Sequence, residues 1–452
     1  MAAPTIHGVK VVEHCRVHPS PPLPPPTSLP LTFFDIPWLL FSPHQPLFFY
    51  HLPSFSTATA AATLPALKHS LSLTLRHYNH LAGHLCAPPY PASPRIVYSQ
   101  ADSVPLTFAE SSGDFHHLCG HSSRNAADFH PLVPQLLPSS RDPHTIPLLA
   151  VQITLFPGAG VSIGLAFHHA AGDGRTFDNF MKTWAAICRS DGEVTVLPSH
   201  DRSLIIDRRG LEGILLKQWR DSPGNYTKRT QVRDMVRATC VVGPTDMDKI
   251  KRWIITQKSN SAQLLLSNYV VTCAFVWVCL AKAKAEGKNE KMSTEGPVFF
   301  GFVAGGLARL DYPIPATYFG NCVAFGRATV KMGELVGGDG VVAAAKAIGS
   351  SIEKLNRGVL EGAERWIPDW ELMVGSELHM TVSGSPKVGL YEMDFGWGRP
   401  KKIEDISIDG MGAISLTESR EIKGGIEIGL VLKRATMYAF TSFFEEGLKV
   451  FQ

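Results

Sequence analysis

The segment from residue 148 to residue 188 constrains the fold more than any other part of the sequence. LLAVQITLF (148–156) alternates apolar and polar positions, and VSIGLAF (161–167) follows after the short turn PGAG. Two such runs joined by a Gly/Pro turn predict a β-hairpin. Apolar residues then recur at helical spacing, at Phe177, Phe180, Met181, Trp184, Ala185 and Cys188. The turn HHAAGDG (168–174) is therefore predicted to lie between a strand end and a helix start.

This turn holds a candidate general base. The unperturbed pKa of histidine is about 6.5, which suits proton transfer near neutral pH. The small residues 170–172 leave room for a substrate beside the imidazole of His169, and Asp173 could orient the ring or stiffen the loop. The same residues also fit a structural interpretation, in which His168 and His169 cap a strand and Asp173 begins a helix. The pattern alone leaves both interpretations open.

The rest of the chain indicates an α/β protein of more than one domain. A chain of 452 residues is too long for one ordinary core, which favours two or three domains. Further helices are expected near 62–80, 270–286, 341–356 and 436–447, and a strand at 296–304. The charged stretch LPSHDRSLIIDRRGLEG (197–213) is interpreted as a crossover between domains. We expect an N-terminal domain at 1–196, a crossover at 197–222 and a C-terminal domain at 223–452.

Composition excludes several classes of protein. A net charge of +3 without a long basic run gives no reason to expect nucleic acid as a partner. No run approaches the roughly 18 apolar residues of a membrane-spanning helix, and the N-terminus lacks the pattern of a signal peptide. None of the eight cysteines are spaced as CxxC, which argues against a zinc site and favours a reducing compartment. We expect a cytoplasmic monomer without metal.

Three short motifs carry a resemblance to a known family. HHAAGDG resembles the HxxxDG signature of the plant BAHD acyltransferases, and DFGWG (394–398) resembles their second signature. YFGNC (318–322) is similar to a third motif, typical of the anthocyanin and flavonoid-glycoside branch. LPLTFFDIPWL (29–39), LPSHDRS and GGIEIGL are also similar to that branch. The resemblance covers nearly the whole chain in the expected order.

The resemblance implies a fold and a reaction. Two domains similar to chloramphenicol acetyltransferase, with mixed sheets flanked by helices, would enclose a channel for acyl-CoA and an acceptor. His169 would take the proton from the acceptor hydroxyl, which then attacks the thioester without a covalent enzyme intermediate, a metal or a cofactor. The implied partners are an acyl-CoA donor and a phenolic glycoside acceptor.

The resemblance also implies a supporting role for Asp173, with one departure from the family pattern. In the family this aspartate pairs with an arginine that precedes YFGNC. Here AGGLARLDYPIPATYFGNC places Gly305 and Leu307 where Asp and Arg usually lie. Either Arg309 supplies the partner, or Asp173 is held in another way.

Further site residues follow from the matched motifs. Asp394 is interpreted mainly as structural, with proton transfer as the alternative. Trp397 fits either the channel wall or the core, and the basic residues near DFGWG fit either CoA phosphates or a solvated surface. The candidates for CoA binding are Ser267, Lys387, Trp397, Arg399, Lys401 and Lys402. The candidates for substrate binding are Phe34, Asp35 and Arg175, the last as a cation for a malonyl group or as a surface residue.

Three other readings remain open from the sequence. Gly160–Gly164 satisfies the GxSxG pattern of serine hydrolases, but Ser162 lies inside a predicted strand rather than on a turn. A catalytically weak relative that only binds acyl-CoA or glycosides is a second alternative. A BAHD enzyme that acylates another alcohol or an amine is the third. The sequence does not decide between a malonyl and a hydroxycinnamoyl donor.

Overall fold

The computed structural model describes residues 5–6, 8–54, 57–89, 91–138, 142, 144–190, 197–222, 234–257, 264–286 and 293–451. Side chains are described within these ranges except at 5–6, 57–62 and 190. The strands in chain order are β1 (Thr5–Ile6), β2 (Val9–Val17), β3 (Thr27–Pro30), β4 (Pro46–His51), β5 (His84–Cys86), β6 (Arg95–Tyr98), β7 (Val104–Ser111), β8 (Arg124–Asn125), β9 (Thr145–Pro147), β10 (Leu149–Phe156), β11 (Gly160–Phe167), β12 (Met235–Val242), β13 (Pro297–Gly305), β14 (Val323–Lys331), β15 (His379–Gly384), β16 (Lys402–Asp405), β17 (Ala413–Glu418) and β18 (Ile426–Lys433). The α-helices are α1 (Thr57–His77), α2 (Phe115–Leu118), α3 (Gly174–Ser190), α4 (Leu211–Asp221), α5 (Pro244–Thr256), α6 (Asn268–Glu286), α7 (Met332–Val336), α8 (Gly340–Arg357), α9 (Trp366–Val374) and α10 (Arg434–Val450).

These elements form two large mixed sheets and one small sheet. The N-terminal sheet has the order β1-β2-β7-β10-β11-β4-β16, and the C-terminal sheet has the order β14-β13-β15-β17-β18-β12-β8. Parallel pairs, such as β7 with β10 and β13 with β15, occur in both among antiparallel ones. The small sheet has the order β3-β6-β5-β9. Helices α1 and α3 pack together in the first half, and α6 packs against α8 and α10 in the second. The predicted α/β class with mixed sheets is confirmed.

The predicted hairpin and helix around HHAAGDG are both present. β10 pairs antiparallel with β11 along its whole length, and every residue of the two strands is buried. The face of α3 formed by Phe177, Phe180, Met181, Trp184 and Ala185 is buried, as its spacing predicted. Ser162 lies in the middle of β11 and is fully buried, so it is not on the exposed turn that a hydrolase nucleophile requires. The hairpin therefore places residues 168–173 directly after the buried end of β11.

Other predicted elements are present with shifted ends. The helix expected near 62–80 is α1, and those expected at 270–286, 341–356 and 436–447 are α6, α8 and α10. The predicted crossover contains the helix α4, which packs against α9 and against the short 3-10 helix Ile36–Leu40. In the described ranges, no helix is long and apolar enough to cross a membrane.

Each large sheet takes a short strand from the other half of the chain. β16 pairs with β4 in the N-terminal sheet, and β8 pairs with β12 in the C-terminal sheet. The sequence did not predict this exchange, because strands of two to four residues carry little periodicity. The domain boundaries expected at 196/197 and 222/223 stay predictions, since each adjoins residues outside the described ranges.

A buried ionic cluster holds the exchanged strand β16 in place. Arg124 donates to Glu404 at 2.7 Å, and Arg237 lies 3.3 Å from the same carboxylate and also pairs with Asp409. Burial alone would raise the pKa of Glu404, but the two arginines lower it to about 2. Glu404 therefore remains charged inside the protein, where loss of one partner would leave an uncompensated buried charge.

Candidate active site

A cavity of about 660 Å³ lies between the two halves of the molecule, at the end of the β10–β11 hairpin. His169, Asp173 and Arg175 line it from the N-terminal half, together with Trp38 and His44. The opposite wall comes from β13, β15 and the loops after β15 and β16, and is largely apolar. A cavity of this size and lining is typical of a small-molecule site.

His169 begins the 3-10 turn His169–Ala171 that follows β11, and its imidazole is held by Asn321. The Oδ1 atom of Asn321 lies 3.1 Å from Nδ1 of His169. The Nδ2 atom of Asn321 donates to Asp35 and to the main-chain oxygen of His169, both at 2.9 Å. Because both acceptors bind Nδ2, the amide oxygen must face the imidazole, so Nδ1 of His169 carries the proton. This leaves Nε2 with a lone pair, as a general base requires.

A buried network of hydrogen bonds and one ion pair supports the contact between Asn321 and His169. Asp35 accepts from the main-chain N–H of Asn321 at 3.0 Å and pairs with Arg202 at 3.1 Å. Arg202 also donates to the hydroxyl of Tyr318 at 2.9 Å. Gly320 has a φ of +150°, and a Cβ there would meet the Arg202 guanidinium at 2.2 Å. A side chain at position 320 would therefore need a strained backbone and would displace both the buried Arg202 and the ring of Tyr318, which favours glycine there.

The environment of His169 keeps its imidazole neutral. Burial lowers the pKa of His169 to about 3, and the nearby His44 adds to this effect. The ring of Trp38 is stacked on the imidazole, with centroids 3.5 Å apart and an angle of 10° between the planes. Stacking on one face and the Asn321 bond on one edge fix the ring orientation. The ring can therefore accept a proton at Nε2 from a hydroxyl group bound in the cavity.

His168 and Asp173 hold the turn itself. His168 accepts a hydrogen bond from the main-chain N–H of Ala170, so it caps the 3-10 turn. Asp173 accepts from the N–H groups of Arg175 and Thr176 in the first turn of α3, each at 3.1 Å. Its second oxygen accepts from the N–H of Cys322 at 3.0 Å. Asp173 thus joins the HHAAGDG turn to the YFGNC segment by main-chain contacts.

The arginine partner of Asp173 is Arg175, at 3.5 Å. Arg309 donates to Asn356 and to the main-chain oxygen of Gly305, although it lines the cavity. The alternative in which Arg309 pairs with Asp173 is therefore wrong for this structure. The guanidinium of Arg175 also donates to the main-chain oxygens of Ala316 and Gly320. Most N–H donors of Arg175 are bound by protein acceptors. This weakens the hypothesis that Arg175 binds the carboxylate of a malonyl group.

The DFGWG segment lies outside the cavity lining. Asp394 accepts from the N–H groups of Gly396 and Gly398, both at 2.8 Å, and both glycines have positive φ. Trp397 packs edge-on against Tyr50 at 5.4 Å. The Asp394 carboxylate closes a glycine turn and the Trp397 indole packs on a buried tyrosine, which favours the structural interpretation of both residues.

Of the predicted CoA contacts, only Lys387 lines the cavity. Its side chain is exposed. Ser267 accepts from the N–H of Val270 at the start of α6, and Arg399 donates to the main-chain oxygen of Tyr391. Lys401 is exposed and faces Glu421 at 4.0 Å, away from the cavity lining. Lys402 is corrected as a CoA contact, because its ammonium is buried in the sheet and paired with Glu427 at 3.1 Å.

The predicted substrate contacts Phe34 and Asp35 are also corrected. Both side chains are fully buried and neither lines the cavity. Phe34 packs against Phe33 and Trp366, while Asp35 supports Asn321. Phe34 and Asp35 lie on the side of the site away from the cavity. The 3-10 helix that follows them places Trp38, rather than Asp35, against His169.

Sequence reasoning missed Asn321, Trp38, His44 and Arg202. Asn321 lies within YFGNC, Trp38 within LPLTFFDIPWL and Arg202 within LPSHDRS, so the motifs marked the segments without giving roles to these residues. His44 had no signal, since a lone histidine in a loop predicts little. No group of His, Cys, Asp and Glu that could bind a metal occurs among the residues the structure describes.

Comparison with known proteins gives a consistent result. Residues 7–447 match the model of the transferase family. The chain is 37% identical to malonyl-coenzyme A:anthocyanin 3-O-glucoside-6''-O-malonyltransferase of Dahlia pinnata, over 98% of both chains. It is also 37% identical to coumaroyl-CoA:anthocyanidin 3-O-glucoside-6''-O-coumaroyltransferase 1 of Arabidopsis thaliana, again over 98% of both chains. The crystal structure of vinorine synthase has the same fold, with a TM-score of 0.68 at 19% identity, covering 95% of this chain and 96% of that one.

Proposed function

The chain belongs to the transferase family of BAHD acyltransferases, and on this premise we propose that it acylates a sugar hydroxyl of a flavonoid, anthocyanin or related phenolic glycoside. It is an acyl-CoA-dependent O-acyltransferase, as the sequence predicted. The glycoside acceptor is supported by relatives whose names specify anthocyanin glucosides. Those relatives differ in donor, one using malonyl-CoA and one coumaroyl-CoA.

His169 is the proposed general base, and the observation that carries this is its bond to Asn321. An alcohol with a pKa near 15–16 is a poor nucleophile at pH 7, and a positioned base typically contributes about 10²–10⁴-fold. Nε2 of His169 takes the hydroxyl proton while the oxygen attacks the thioester carbonyl. The tetrahedral intermediate then collapses, breaks the C–S bond and releases the CoA thiolate, which His169 reprotonates. The products are the ester and free CoA.

The other groups have supporting roles in this proposal. Asn321, Asp35 and Trp38 orient the imidazole, and Asp173 holds the turn against the YFGNC segment. Lys387, exposed beside the cavity, is the proposed contact for a CoA phosphate. A binding protein without activity would have no need for an imidazole held in one tautomer beside a cavity.

We also propose that the enzyme works as a cytoplasmic monomer, with acyl-CoA as co-substrate and no separate cofactor. Burial raises the pKa of the Cys119 thiol to about 12, and it raises the pKa of Cys273 further. Such thiols are unreactive, which supports their interpretation as small apolar core residues. Sedimentation of the purified protein and fractionation of cells that express it test both parts.

The deciding assay supplies the purified enzyme with malonyl-CoA or p-coumaroyl-CoA and with a flavonol, its 3-O-glucoside or an amine such as agmatine. Free CoA is followed with a thiol reagent, and NMR locates the new ester. We expect acylation of the glucoside at a sugar hydroxyl. Acylation of the aglycone or the amine with inert glucosides would contradict the proposed acceptor. Thiol release that does not depend on any acceptor would instead indicate a hydrolase.

A further inference from the structure

A second histidine, His44, lies on the cavity wall beside His169. Its main chain exchanges two hydrogen bonds with Phe167, the last residue of β11, at 2.8 and 2.9 Å. Its ring packs against Phe177 of α3, with centroids 5.5 Å apart. His44 is therefore fixed to the strand that delivers His169, and it lines the same cavity.

The imidazole of His44 faces a carboxylate that is held on its other side by serines. Nε2 of His44 lies 3.6 Å from Oδ2 of Asp405. Ser383 donates to the same oxygen at 2.5 Å, and Ser407 donates to Oδ1 through its N–H at 3.0 Å and through its hydroxyl. Asp405 sits between the serine and the histidine, so the histidine cannot activate the serine as it would in a catalytic triad. The cluster is arranged to hold His44 rather than to make a nucleophile.

One edge of His44 remains available to a ligand. Within the described part of the chain, Nδ1 of His44 has no hydrogen-bond partner, and its side chain is 23% exposed. Ser383 and Ser407 line the cavity next to it. These are polar groups on a wall that is otherwise largely apolar, so a ligand reaching this point gains by forming hydrogen bonds there.

The charge of the cluster decides which ligands it accepts. The charged partner that the structure gives His44 is the carboxylate of Asp405, 3.6 Å away, while the buried Arg237 reaches the main-chain oxygen of Asp405. Three nearby cations that line the cavity are engaged elsewhere: Arg175 with main-chain oxygens, Lys182 with Asp178, and Arg309 with Asn356. Lys387 is exposed at the surface. Among the described residues, no cation of the cavity lining forms an ion pair with Asp405, so a carboxylate placed beside His44 would be repelled by Asp405 at short range, whereas a hydroxyl could donate or accept.

We propose that His44, paired with the serine-bound carboxylate of Asp405, is a subsite for an uncharged hydroxyl group of the substrate and disfavours an acyl group ending in a carboxylate. This inference rests on the proposed function, because the hydroxyl belongs to the acyl-CoA or to the glycoside bound beside His169. Two sources fit this chemistry: the phenolic hydroxyl of a hydroxycinnamoyl group and a second hydroxyl of the acceptor sugar. With either source, the Asp405 carboxylate disfavours a malonyl group in this part of the cavity, so we expect p-coumaroyl-CoA to be preferred over malonyl-CoA as donor.

The test compares substrate ratios in matched variants of the full chain. His44→Phe keeps the ring against Phe177 but removes hydrogen bonding, and Asp405→Asn removes the negative charge. His51→Phe is the control, since His51 ends the neighbouring strand β4, is exposed and does not line the cavity. For each variant, kcat/KM is measured with p-coumaroyl-, cinnamoyl- and malonyl-CoA on one flavonol glucoside. It is also measured with p-coumaroyl-CoA on the corresponding 2-deoxyglucoside.

We expect the wild type to use p-coumaroyl-CoA at least about tenfold better than malonyl-CoA. If the ratio of kcat/KM for p-coumaroyl-CoA to that for cinnamoyl-CoA falls toward one in His44→Phe, the phenolic hydroxyl is the ligand. If instead the ratio of kcat/KM for the glucoside to that for the 2-deoxyglucoside falls toward one, the sugar hydroxyl is the ligand. In Asp405→Asn, the relative use of malonyl-CoA should rise about tenfold, while His51→Phe should match the wild type.

Two results would overturn the subsite while leaving the proposed function intact. The first is that His44→Phe transfers acyl groups at the wild-type rate and that all of its kcat/KM ratios lie within twofold of the wild-type ratios. The other is a wild-type preference for malonyl-CoA over p-coumaroyl-CoA. Absence of acyl transfer to any glucoside by the wild type would contradict the proposed function itself, and the subsite with it.

Discussion

Asn321 and His169 are 152 positions apart in the chain, yet the Asn321 amide oxygen lies 3.1 Å from Nδ1 of the His169 imidazole. The amide nitrogen of Asn321 is bound by Asp35 and by the main chain of His169, so the amide cannot turn around. One side chain thus sets the tautomer of the other. This contact joins the two signature segments HHAAGDG and YFGNC into one site.

Replacement of Asn321 by Ala is expected to lower kcat by roughly tenfold to a hundredfold, because the imidazole loses the acceptor that fixes its tautomer. KM for acyl-CoA should change little. Steady-state kinetics measure both quantities. Asn179→Ala is the matched control, since Asn179 in α3 donates only to the main-chain oxygen of Ala316. Equal kcat values for Asn321→Ala and Asn179→Ala would argue that the contact has no part in turnover.

Replacement of His169 by Ala is expected to lower kcat by at least about 10²-fold, with little effect on CoA affinity, because the imidazole acts on the acceptor proton. Turnover is measured with saturating substrates and CoA binding by calorimetry. His168→Asn is the control, since Asn can replace the cap that His168 provides to Ala170. Unchanged turnover in His169→Ala would remove the residue from the mechanism.

Replacement of Asp173 by Asn is expected to lower kcat and the melting temperature together. Asn retains one acceptor oxygen, whereas Asp173 accepts main-chain N–H groups at both carboxylate oxygens. Loss of one such cap contact costs about 1 kcal/mol of the free energy of unfolding. Arg309→Ala should leave the melting temperature nearly unchanged, because Arg309 does not touch Asp173. A fall in kcat with an unchanged melting temperature would show that Asp173 acts in the chemistry.

Replacement of Glu404 by Gln is expected to destabilise the fold by roughly 3 kcal/mol or more, because Arg124 and Arg237 are left without their shared buried carboxylate. The pKa of Glu404 lies near 2, below the value of about 4.3 in an unfolded chain. Its contribution to stability is thus complete above pH 4.3 and is lost as the pH falls toward 2. Chemical denaturation measures the effect. Glu295→Gln, which breaks the exposed pair with Lys331, should leave the free energy of unfolding nearly unchanged, because solvent screens that pair.

Stability is expected to fall between pH 7 and pH 5.5. Burial lowers the pKa of His80 to about 3 and of His168 to about 4, against about 6.5 in an unfolded chain. Below pH 6.5 the unfolded state binds protons that the folded state does not, so each histidine costs up to about 1.4 kcal/mol per pH unit. Melting temperatures measured across this range should drop, and His168→Asn should make the dependence shallower. If the melting temperature of that variant fell with pH as steeply as that of the wild type, His168 would be excluded as a cause of the pH dependence.

The pH dependence of turnover should differ from that of stability. With its pKa lowered to about 3, the His169 imidazole stays neutral from pH 5 to pH 8, so the fraction of enzyme with an unprotonated base does not change across this range. Initial rates of the folded enzyme should therefore show no acidic limb near pH 6.5. An acidic limb near pH 6.5 would contradict the lowered pKa of His169.

Local periodicity was sufficient to predict the elements that carry the site. The hairpin β10–β11, the amphipathic helix α3 and the buried helix α6 each follow from spacing within a few residues, since side chains two or four positions apart share a face. The motif HHAAGDG and its position at the strand end were also readable, as was the family through its three signatures. None of these required knowledge of distant contacts.

The tertiary structure alone decided what those residues touch. Asp35 and Phe34 belong to a segment that resembles the family, yet packing turns both away from the cavity and presents Trp38 and His44 instead. Lys402 looks like one more basic residue after DFGWG, but its strand joins the N-terminal sheet and buries the ammonium against Glu427. Such outcomes depend on pairing between segments hundreds of residues apart. No short window of sequence encodes that pairing, because burial and partners are set by the whole core.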